Sequence, residues 1–237
     1  MIQLLHMDIL QGLNPIQQQA VQFGNTPLLI LAGAGSGKTR VLTHRVAHFI
    51  SQGIPAENIL LLTFTNKAAQ SMLFRITGAK PTGGTFHSFC ARILRKYHAA
   101  ADLDADFSIF DADDQLDTIK QAMYNLGVDP KAFKSGGIHG AISSAKNELL
   151  GPHEYANYAR GNFQQIVTRV YLSYQQLLRK YKALDFDDLL FETVKLLQKD
   201  PDVLEKMQQQ FQYILVDEYQ DTNKAQYELT KLLAKKH

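Results

Sequence analysis

The sequence predicts a parallel α/β domain interrupted by an α-helical subdomain, and three observations support this prediction. A short apolar run, Leu28–Ala32, leads directly into a glycine-rich turn followed by a helical pattern. A second apolar run, Ile59–Thr63, comes next, and the order strand, helix, strand indicates a parallel pair joined by a crossover helix. From about Phe107 to Leu184 the residues show helical spacing and no convincing strand.

Composition and charge indicate an ordinary packed protein. Of the 237 residues, 45% are hydrophobic and 20% are charged, and the net charge is +2. A weak net charge gives no global basic field, so a nucleic-acid site would have to be local, near basic runs such as Arg92–His98 or Arg179–Lys182. Cys90 is the single cysteine, which excludes an intramolecular disulfide and a multi-cysteine zinc site.

The lengths of the apolar runs indicate whether the chain could cross a membrane. The longest ones are Leu28–Ala32 and Ile59–Leu62, far short of the roughly 20 residues that a membrane span needs. The first ten residues lack the basic start and long apolar centre of a signal peptide. We therefore expect no membrane association and a cytoplasmic location.

The remaining elements follow from periodicity. Lys38–Gln52 reads as the helix after the glycine-rich turn, and Gln212–Asp217 reads as a third strand. Asp111 predicts the N-cap of one helix, Asn162–Lys182 predicts a long amphipathic helix, and Asp185 predicts the N-cap of another. We expect a first α/β segment at 1–106, a helical subdomain at 107–184 and a continued α/β segment at 185–237.

The glycine-rich turn matches a phosphate-binding loop. Its residues are Ala32, Gly33, Ala34, Gly35, Ser36, Gly37, Lys38 and Thr39, and only Ala32 departs from the pattern G-x-x-x-x-G-K-[ST]. The glycines let backbone N–H groups point at phosphates, next to the positive end of the following helix. Lys38 would contact the β- and γ-phosphates, and Thr39 would bind Mg²⁺. The alternative is an ordinary strand-to-helix turn.

Asp217 and Glu218 follow the third predicted strand, at the edge of a parallel sheet where ligands of such folds bind. Asp217 could hold Mg²⁺ through water, and Glu218 could orient or deprotonate an attacking water. The alternative is a solvated acidic turn. Lys38 and Asp217 are 179 positions apart (217 − 38), more than one or two strand–helix–strand units use, so an insertion is required.

Six blocks in this order resemble the UvrD, Rep and PcrA group of superfamily 1 DNA helicases. The blocks are LNPIQ at Leu13–Gln17, AGAGSGKTR ending at Arg40, TFTNKAA at Thr63–Ala69, TFHSFCARILR at Thr85–Arg95, DFDDL at Asp185–Leu189 and VDEYQDTN at Val216–Asn223. The group's phosphate loop itself begins with alanine. The resemblance implies a RecA-like fold for the α/β domain.

The resemblance also implies roles for particular residues. Gln17 corresponds to a glutamine that reads the adenine edge, which makes ATP the expected nucleotide. Arg40 corresponds to a residue that packs near the base, and Gln220 corresponds to a residue of the nucleotide site that links hydrolysis to DNA movement.

The resemblance also implies a set of DNA contacts, which are Thr63, Phe64, Thr65, Asn66, Thr85, Phe86 and His87. Among them, Phe64 corresponds to the residue on which the group stacks DNA bases. Taken alone, Phe64 at a strand end is more often a core residue.

Two departures from the group's pattern stand out. Ser71 occupies a position where the group usually has glutamate. Lys80–Gly84 has poor strand propensity where the group has an apolar strand, so we expect weaker support for the contacts at Thr85–His87.

The resemblance implies the amino-terminal part of an ATP-dependent 3′–5′ DNA helicase. Its partners would be single-stranded DNA, a duplex junction and a second RecA-like domain in cis. The sequence stops at His237, before the blocks that carry the group's γ-phosphate sensor and arginines, so we expect this chain to hydrolyse ATP poorly and not to unwind DNA alone. Two alternatives stay open: a non-catalytic nucleotide- and DNA-binding module, and the motor part of a helicase–nuclease.

Overall fold

The computed structural model describes residues 9–24, 26–33, 35–76 and 78–236. The helices are α1 (Pro15–Gln22), α2 (Lys38–Ser51), α3 (Asn66–Arg75), α4 (Phe86–Lys96), α5 (Ala112–Asn125), α6 (Ser135–Asn147), α7 (Pro152–Tyr158), α8 (Gly161–Lys180), α9 (Phe186–Lys199), α10 (Pro201–Gln210) and α11 (Lys224–Ala234). The strands are β1 (Ile59–Thr63), β2 (Thr82–Thr85), β3 (Ser108–Ile109), β4 (Ala183–Leu184) and β5 (Tyr213–Val216). Short 3₁₀ helices lie at Ala56–Asn58 and Tyr219–Asp221.

A parallel three-stranded sheet with the order β2–β1–β5 confirms the predicted fold class, a RecA-like α/β fold. The central strand β1 is buried along its whole length, as its continuous apolar sequence predicts for a strand covered on both faces. The core on one side joins α2, α3, β1 and β5 through a shared cluster. Its buried members are Val46, Phe49, Ile59, Leu61, Met72, Ile76 and Leu215.

The predicted strand at Leu28–Ala32 is wrong. Residues 26–33 form neither helix nor strand, and Leu29 and Leu31 are 67% and 87% exposed. Ile30 alone packs against the small apolar cluster that α1 shares with α2. A strand needs a neighbour for its N–H and C=O groups, and this segment extends neither edge of the sheet. An apolar run predicts burial, but it cannot identify the strand beside it.

The structure contains a strand where the weak strand propensity of Lys80–Gly84 argues against one. Thr82–Thr85 forms β2 and pairs in parallel with β1, so that Leu61 lies opposite Gly83. A methyl group added at Gly83 would lie 2.8 Å from a terminal carbon of Leu73, on α3. The missing side chain therefore lets α3 pack close to the strand, and β1, α3 and β2 form the strand–helix–strand unit of the sheet.

The described residues divide into two compact units. One comprises the described residues of Met1–Phe89, Leu204–Asp221 and Leu233–His237, and contains the three-stranded sheet. The other comprises Cys90–Val203 and Thr222–Leu232 and is mainly helical. The predicted domain limits at residues 106 and 184 stay a prediction.

The helical unit confirms the predicted caps. Asp111 accepts hydrogen bonds from the N–H groups of Asp113 and Asp114 at the start of α5, and Asp185 accepts one from Asp188 at the start of α9. The expectation that this region lacks strands was wrong in one detail, because β3 and β4 form a two-residue parallel pair. Over the described part of the chain, no helix has the length and apolar character needed to cross a bilayer.

Candidate functional site

The phosphate-loop sequence forms a tight turn before α2. Gly35 and Gly37 have φ values of 73° and 89°, in the left-handed region that glycine adopts without strain. The Ser36 hydroxyl donates to the Gly33 carbonyl at 2.7 Å and closes the turn. Ala34, predicted to belong to this loop, lies outside the described residues.

Lys38 and Thr39 are the first residues of α2, as the phosphate-loop interpretation requires. The Lys38 ammonium donates to the carbonyl oxygen of Ala32 at 3.1 Å and approaches that of Gly33 at 3.5 Å. Its charge is therefore held against the carbonyl groups of the loop. This arrangement combines a cation with the positive end of a helix dipole, which favours a bound anion.

Asp217 contacts Thr39, the last residue of the phosphate-loop sequence. Its backbone N–H donates to the Leu62 carbonyl, which extends the β5 pairing with β1 by one bond. The Thr39 hydroxyl donates to the Asp217 carboxylate at 3.4 Å. Asp217 is 6% exposed, and burial together with the negative charge of Glu218 raises the pKa of its carboxyl above the ordinary value. A buried carboxylate beside a hydroxyl is a donor set suited to a hard divalent cation.

Glu218 has an unusual backbone. Its φ is 50°, in the left-handed region that non-glycine residues rarely adopt. Its carboxylate accepts a hydrogen bond of 2.6 Å from the side-chain amide of Gln220, which also lies 3.3 Å from an Asp221 carboxylate oxygen. The turn after β5 thus places two consecutive carboxylates at the sheet edge, and Gln220 holds the second one. Sequence reasoning assigned Gln220 to this site without identifying its contact.

Gln17 also reaches the loop. Its amide oxygen accepts from the Asn14 N–H at 3.0 Å in the capping box of α1, and its amide nitrogen donates to the Ser36 carbonyl at 3.0 Å. A primary amide has two donors and two acceptor lone pairs, so one of each is left for a ligand. Arg40 is exposed on α2 and lies close to Gly12, where an added methyl group would be 2.7 Å from its guanidinium.

The residues predicted to contact DNA at the end of β1 separate into buried and accessible ones. Thr63 is 1% exposed, and its hydroxyl donates to the Thr65 carbonyl at 3.0 Å. Phe64 is half-buried, whereas Thr65 and Asn66 are exposed. The Thr65 hydroxyl accepts from the Ala68 N–H and so caps α3. Phe64, Thr65 and Asn66 therefore present accessible groups, and Thr63 supports the turn.

The second predicted DNA block, at the end of β2, is also divided. Phe86 is fully buried, and its ring centre lies 5.7 Å from that of Phe64. Thr85 is 8% exposed and accepts from the Ser88 N–H at 3.1 Å. The side chains of Phe86 and Thr85, as placed, are therefore internal supports rather than contact surfaces. His87 is half-buried, so among the three predicted contacts Thr85, Phe86 and His87 it has the most accessible side chain.

Sequence reasoning gave the DFDDL block only the helix cap at Asp185, and the structure adds a buried ion cluster. Lys146 is fully buried in the helical unit, and its ammonium lies 2.6 Å from an Asp185 oxygen and 2.7 Å from an Asp188 oxygen. The Tyr174 hydroxyl donates to Asp185 at 2.9 Å, and Gln175 donates to Asp188 at 3.1 Å. The block therefore joins α6, α8 and α9 through a buried ion cluster.

Charges in this cluster perturb one another. Burial disfavours the charged amine, but the two carboxylates outweigh it and raise the pKa of Lys146. Burial alone would raise the pKa of Asp185, but Lys146 outweighs it and lowers that pKa. Burial and the charge of Asp185 raise the pKa of Asp188 to about 7. Three acidic residues in one short block, two of which contact Lys146, are the sequence signal. The partner lysine, 39 positions before Asp185, has no such signal.

Comparison with known proteins identifies the family of this chain. The family model described as UvrD/REP helicase N-terminal domain matches residues 13–237. The chain is 50% identical over 235 residues to the protein named ATP-dependent DNA helicase PcrA of Bacillus subtilis (strain 168). It is 46% identical to proteins of the same name from Staphylococcus aureus (strain Mu50) over 237 residues and from Staphylococcus epidermidis (strain ATCC 35984) over 235 residues.

Each of these alignments covers 96% of this chain and 32% of the relative, so the chain spans about a third of the length of the curated relatives it matches. The matched segment includes the phosphate loop, the acidic turn after β5 and both predicted DNA blocks. The chain belongs to the UvrD/REP helicase N-terminal domain family.

Proposed function

We propose that this chain is the ATP- and DNA-binding amino-terminal part of an ATP-dependent DNA helicase that moves 3′ to 5′ along single-stranded DNA. The observation that carries the proposal is the contact between Thr39, beside the phosphate-loop lysine, and Asp217, at the end of β5. It joins the two halves of a nucleotide site. The relatives are named ATP-dependent DNA helicases, which supports the same activity for the whole protein of which this chain corresponds to about a third.

Magnesium fits the pair formed by Thr39 and Asp217. Hydroxyl and carboxylate oxygens are hard donors, and Mg²⁺ is usually held by one or two protein oxygens together with phosphate oxygens and water. We assign Thr39 and Asp217 to hold Mg²⁺. When bound, the ion supplies charge neutralisation at the β- and γ-phosphates. Lys38 contacts the same phosphates from the start of α2.

Glu218 is proposed as the residue that orients the attacking water and accepts its proton. The carboxylate follows Asp217 directly and lies in a turn with a strained φ. Non-glycine residues with positive φ are enriched at functional sites, where the surrounding structure keeps them in place. The Gln220 amide fixes the carboxylate by a short hydrogen bond. Gln220 is therefore assigned to positioning Glu218 in the nucleotide site.

ATP is the proposed nucleotide because Gln17 retains one free donor and one free acceptor. The adenine edge offers an amino donor and a ring-nitrogen acceptor, which a glutamine amide can pair in a bidentate way. Arg40 is exposed on the same helix as Lys38, and we assign it to packing near the base with its planar guanidinium.

Single-stranded DNA is the proposed track, with Phe64 as the stacking residue. Its ring is partly accessible and is backed by the buried ring of Phe86. Such a platform holds a base without reading its identity, which suits movement along any sequence. Thr65, Asn66 and His87 are the accessible polar groups beside it.

The sharpest test of the catalytic assignment is Glu218→Gln in the full-length protein. The amide keeps the size of the side chain and one oxygen that can accept from Gln220, but it removes the basicity. We expect Mg·ATP binding within about twofold of the unmodified protein, and a DNA-stimulated ATPase rate lower by about 10²–10⁴-fold, the usual contribution of general base catalysis. A steady-state ATPase assay with retained turnover would exclude Glu218 as the base.

A further inference from the structure

Arg45 is a buried cation that the proposed chemistry does not use. It lies on α2, two turns after the phosphate loop, and is 7% exposed. The two N–H groups of one terminal guanidinium nitrogen are shared among the carbonyl oxygens of Ala20 at 2.9 Å, Val21 at 3.1 Å and Phe23 at 2.7 Å. The other terminal nitrogen donates to Gly24 at 3.0 Å. All four acceptors belong to the carboxyl end of α1 or to the residues directly after it.

This contact satisfies the end of α1. The last carbonyl groups of a helix lack partners within the helix and carry a partial negative charge. A guanidinium has five donors in a fixed planar fork, so it can satisfy several of these carbonyls at once. Burial lowers the pKa of Arg45, and the ring of Phe49, 4.6 Å from the guanidinium carbon, covers the group from the other side.

The opposite end of α1 carries Gln17. The helix has only eight residues, and the capping box of Asn14 with Gln17 starts it. Gln17 then donates to Ser36 in the phosphate loop, and a methyl group added at Gly37 would lie 2.9 Å from its amide nitrogen. The fit is therefore close, and a small shift of α1 along its axis would displace the Gln17 amide.

Apolar packing alone does not fix that position. The cluster between α1 and α2 has three buried members, Leu13, Val21 and Val41. Hydrophobic contacts of this kind are not directional, so they hold the two helices together without setting their axial register. The hydrogen bonds that Arg45 donates from both terminal nitrogens are directional, and they start from the helix that also presents Lys38.

We infer that Arg45 is a positioning residue that fixes the register of α1 against α2, and so sets the distance between the base-reading Gln17 and the phosphate-binding Lys38. The inference rests on the proposed function, because it takes ATP as the nucleotide at this loop. Arg45 thereby determines the preference for adenine over guanine without touching the nucleotide. Guanine presents an oxygen where adenine presents its amino group, so only a correctly placed amide distinguishes them.

Equilibrium titration of the 237-residue chain with fluorescent Mg·ATP and Mg·GTP tests this inference. The variants are Arg45→Met, Gln17→Ala and the double substitution, with Arg75→Met as the control because Arg75 is an exposed arginine on α3. We expect Gln17→Ala and Arg45→Met each to lower the ratio of ATP to GTP affinity by about 2–10-fold, the net effect of one or two hydrogen bonds. Arg75→Met should leave the ratio unchanged.

The double substitution gives the decisive comparison. If Arg45 acts through Gln17, the double variant should discriminate as poorly as Gln17→Ala alone, because the two effects share one path. Additive losses, an unchanged ratio in Arg45→Met, or an equal loss of both nucleotides would overturn the inference. Arg45→Lys keeps the charge but not the planar fork, and an intermediate ratio is expected from it even if Arg45→Met does not fold.

Failure of the proposed function has a different signature. In that case the unmodified chain would bind neither nucleotide, or would bind ATP and GTP equally well with Gln17 intact. Discrimination that is lost in Gln17→Ala but retained in both Arg45 variants would leave the proposed nucleotide site standing and reject the positioning role alone.

Discussion

The Thr39 hydroxyl donates a hydrogen bond of 3.4 Å to the Asp217 carboxylate, although 178 positions separate the two residues. Thr39 is fixed by the start of α2, and Asp217 is fixed by its own N–H bond to Leu62 on β1. The contact therefore joins two rigid elements rather than two mobile loops. A pair of oxygen donors held in this way suits the Mg²⁺ role proposed for it.

Asp217→Asn should weaken the response of nucleotide binding to magnesium. The variant keeps the hydrogen bond from Thr39 but loses the negative charge that attracts the cation through water. We expect about 10–100-fold more Mg²⁺ to be needed for half-maximal ATP binding, the usual effect of changing an outer ligand of a metal site. Titrating Mg²⁺ at fixed fluorescent ATP measures this, with exposed Asp106→Asn as the control. An unchanged Mg²⁺ midpoint would remove Asp217 from the metal site.

Phe64 should matter for DNA binding in a way that another exposed phenylalanine does not. Phe64→Ala removes the partly accessible ring above Phe86, and we expect a loss of about 1–3 kcal/mol in binding to an unstructured oligothymidylate. Phe64→Tyr should retain most of the affinity. Phe74, which is 88% exposed on α3, provides the matched control, and Phe74→Ala should have no effect in a fluorescence anisotropy titration. Equal losses at both positions would contradict a specific platform.

Gly83→Ala should destabilise the sheet unit. The added methyl group would lie 2.8–3.1 Å from three carbon atoms of Leu73, and overpacking of this kind costs about 1–3 kcal/mol. Adding Leu73→Ala makes room for the methyl group, so the double variant should lose less stability than the sum of the two single variants. Urea unfolding of the three variants gives the comparison. A neutral Gly83→Ala would mean that α3 does not pack against β2 as closely as the structure shows.

Asp188 should make the stability of the helical unit depend on pH. Its pKa rises from 3.8 to about 7 on folding, so the carboxyl takes up a proton on folding between these values. Its contribution to stability is complete below 3.8 and is lost as the pH rises through 7. The pKa of Lys146 is raised above 10.5 and that of Asp185 is lowered below 3.8, so both titrate outside the range from pH 5 to pH 8.

Urea unfolding between pH 5 and pH 8 measures this effect, with Asp188→Asn as the reference that cancels the contribution of histidines. We expect the stability of the unmodified chain, relative to the variant, to fall with rising pH by at most about 1.4 kcal/mol per pH unit, the limit for one proton. The same dependence in both proteins would show that Asp188 is not the titrating group.

Local signals determined what could be predicted from the sequence. The continuous apolar sequence of β1 and the caps at Asp111 and Asp185 depend on neighbouring residues, and the structure confirms them. The phosphate-loop pattern before α2 was recognised for the same reason, and its nucleotide-binding role stays a prediction. Loop and cap chemistry are set within a few residues, so one sequence is enough to recognise them.

The failures involve partners that are distant in sequence. Leu28–Ala32 has no neighbouring strand among the described residues, and β2 forms despite two glycines by pairing with β1, with Leu73 of α3 packed against Gly83. From the sequence alone, Arg45 and Lys146 look like ordinary basic residues on helices. In the structure both are buried, and their hydrogen-bond acceptors lie at least 21 positions away. Periodicity reports which face of an element is apolar, but it does not report what that face meets.

Binding of Mg·ATP to the 237-residue chain, compared with its Lys38→Ala variant, tests the central claim most directly. Isothermal titration calorimetry should show one site in the unmodified chain that depends on Mg²⁺. Removing a charged donor to the phosphates should weaken that site by about 1.5–3 kcal/mol, while exposed Lys131→Ala leaves it unchanged. Absence of ATP binding by the unmodified chain, or equal affinity in Lys38→Ala, would contradict a nucleotide site at this loop.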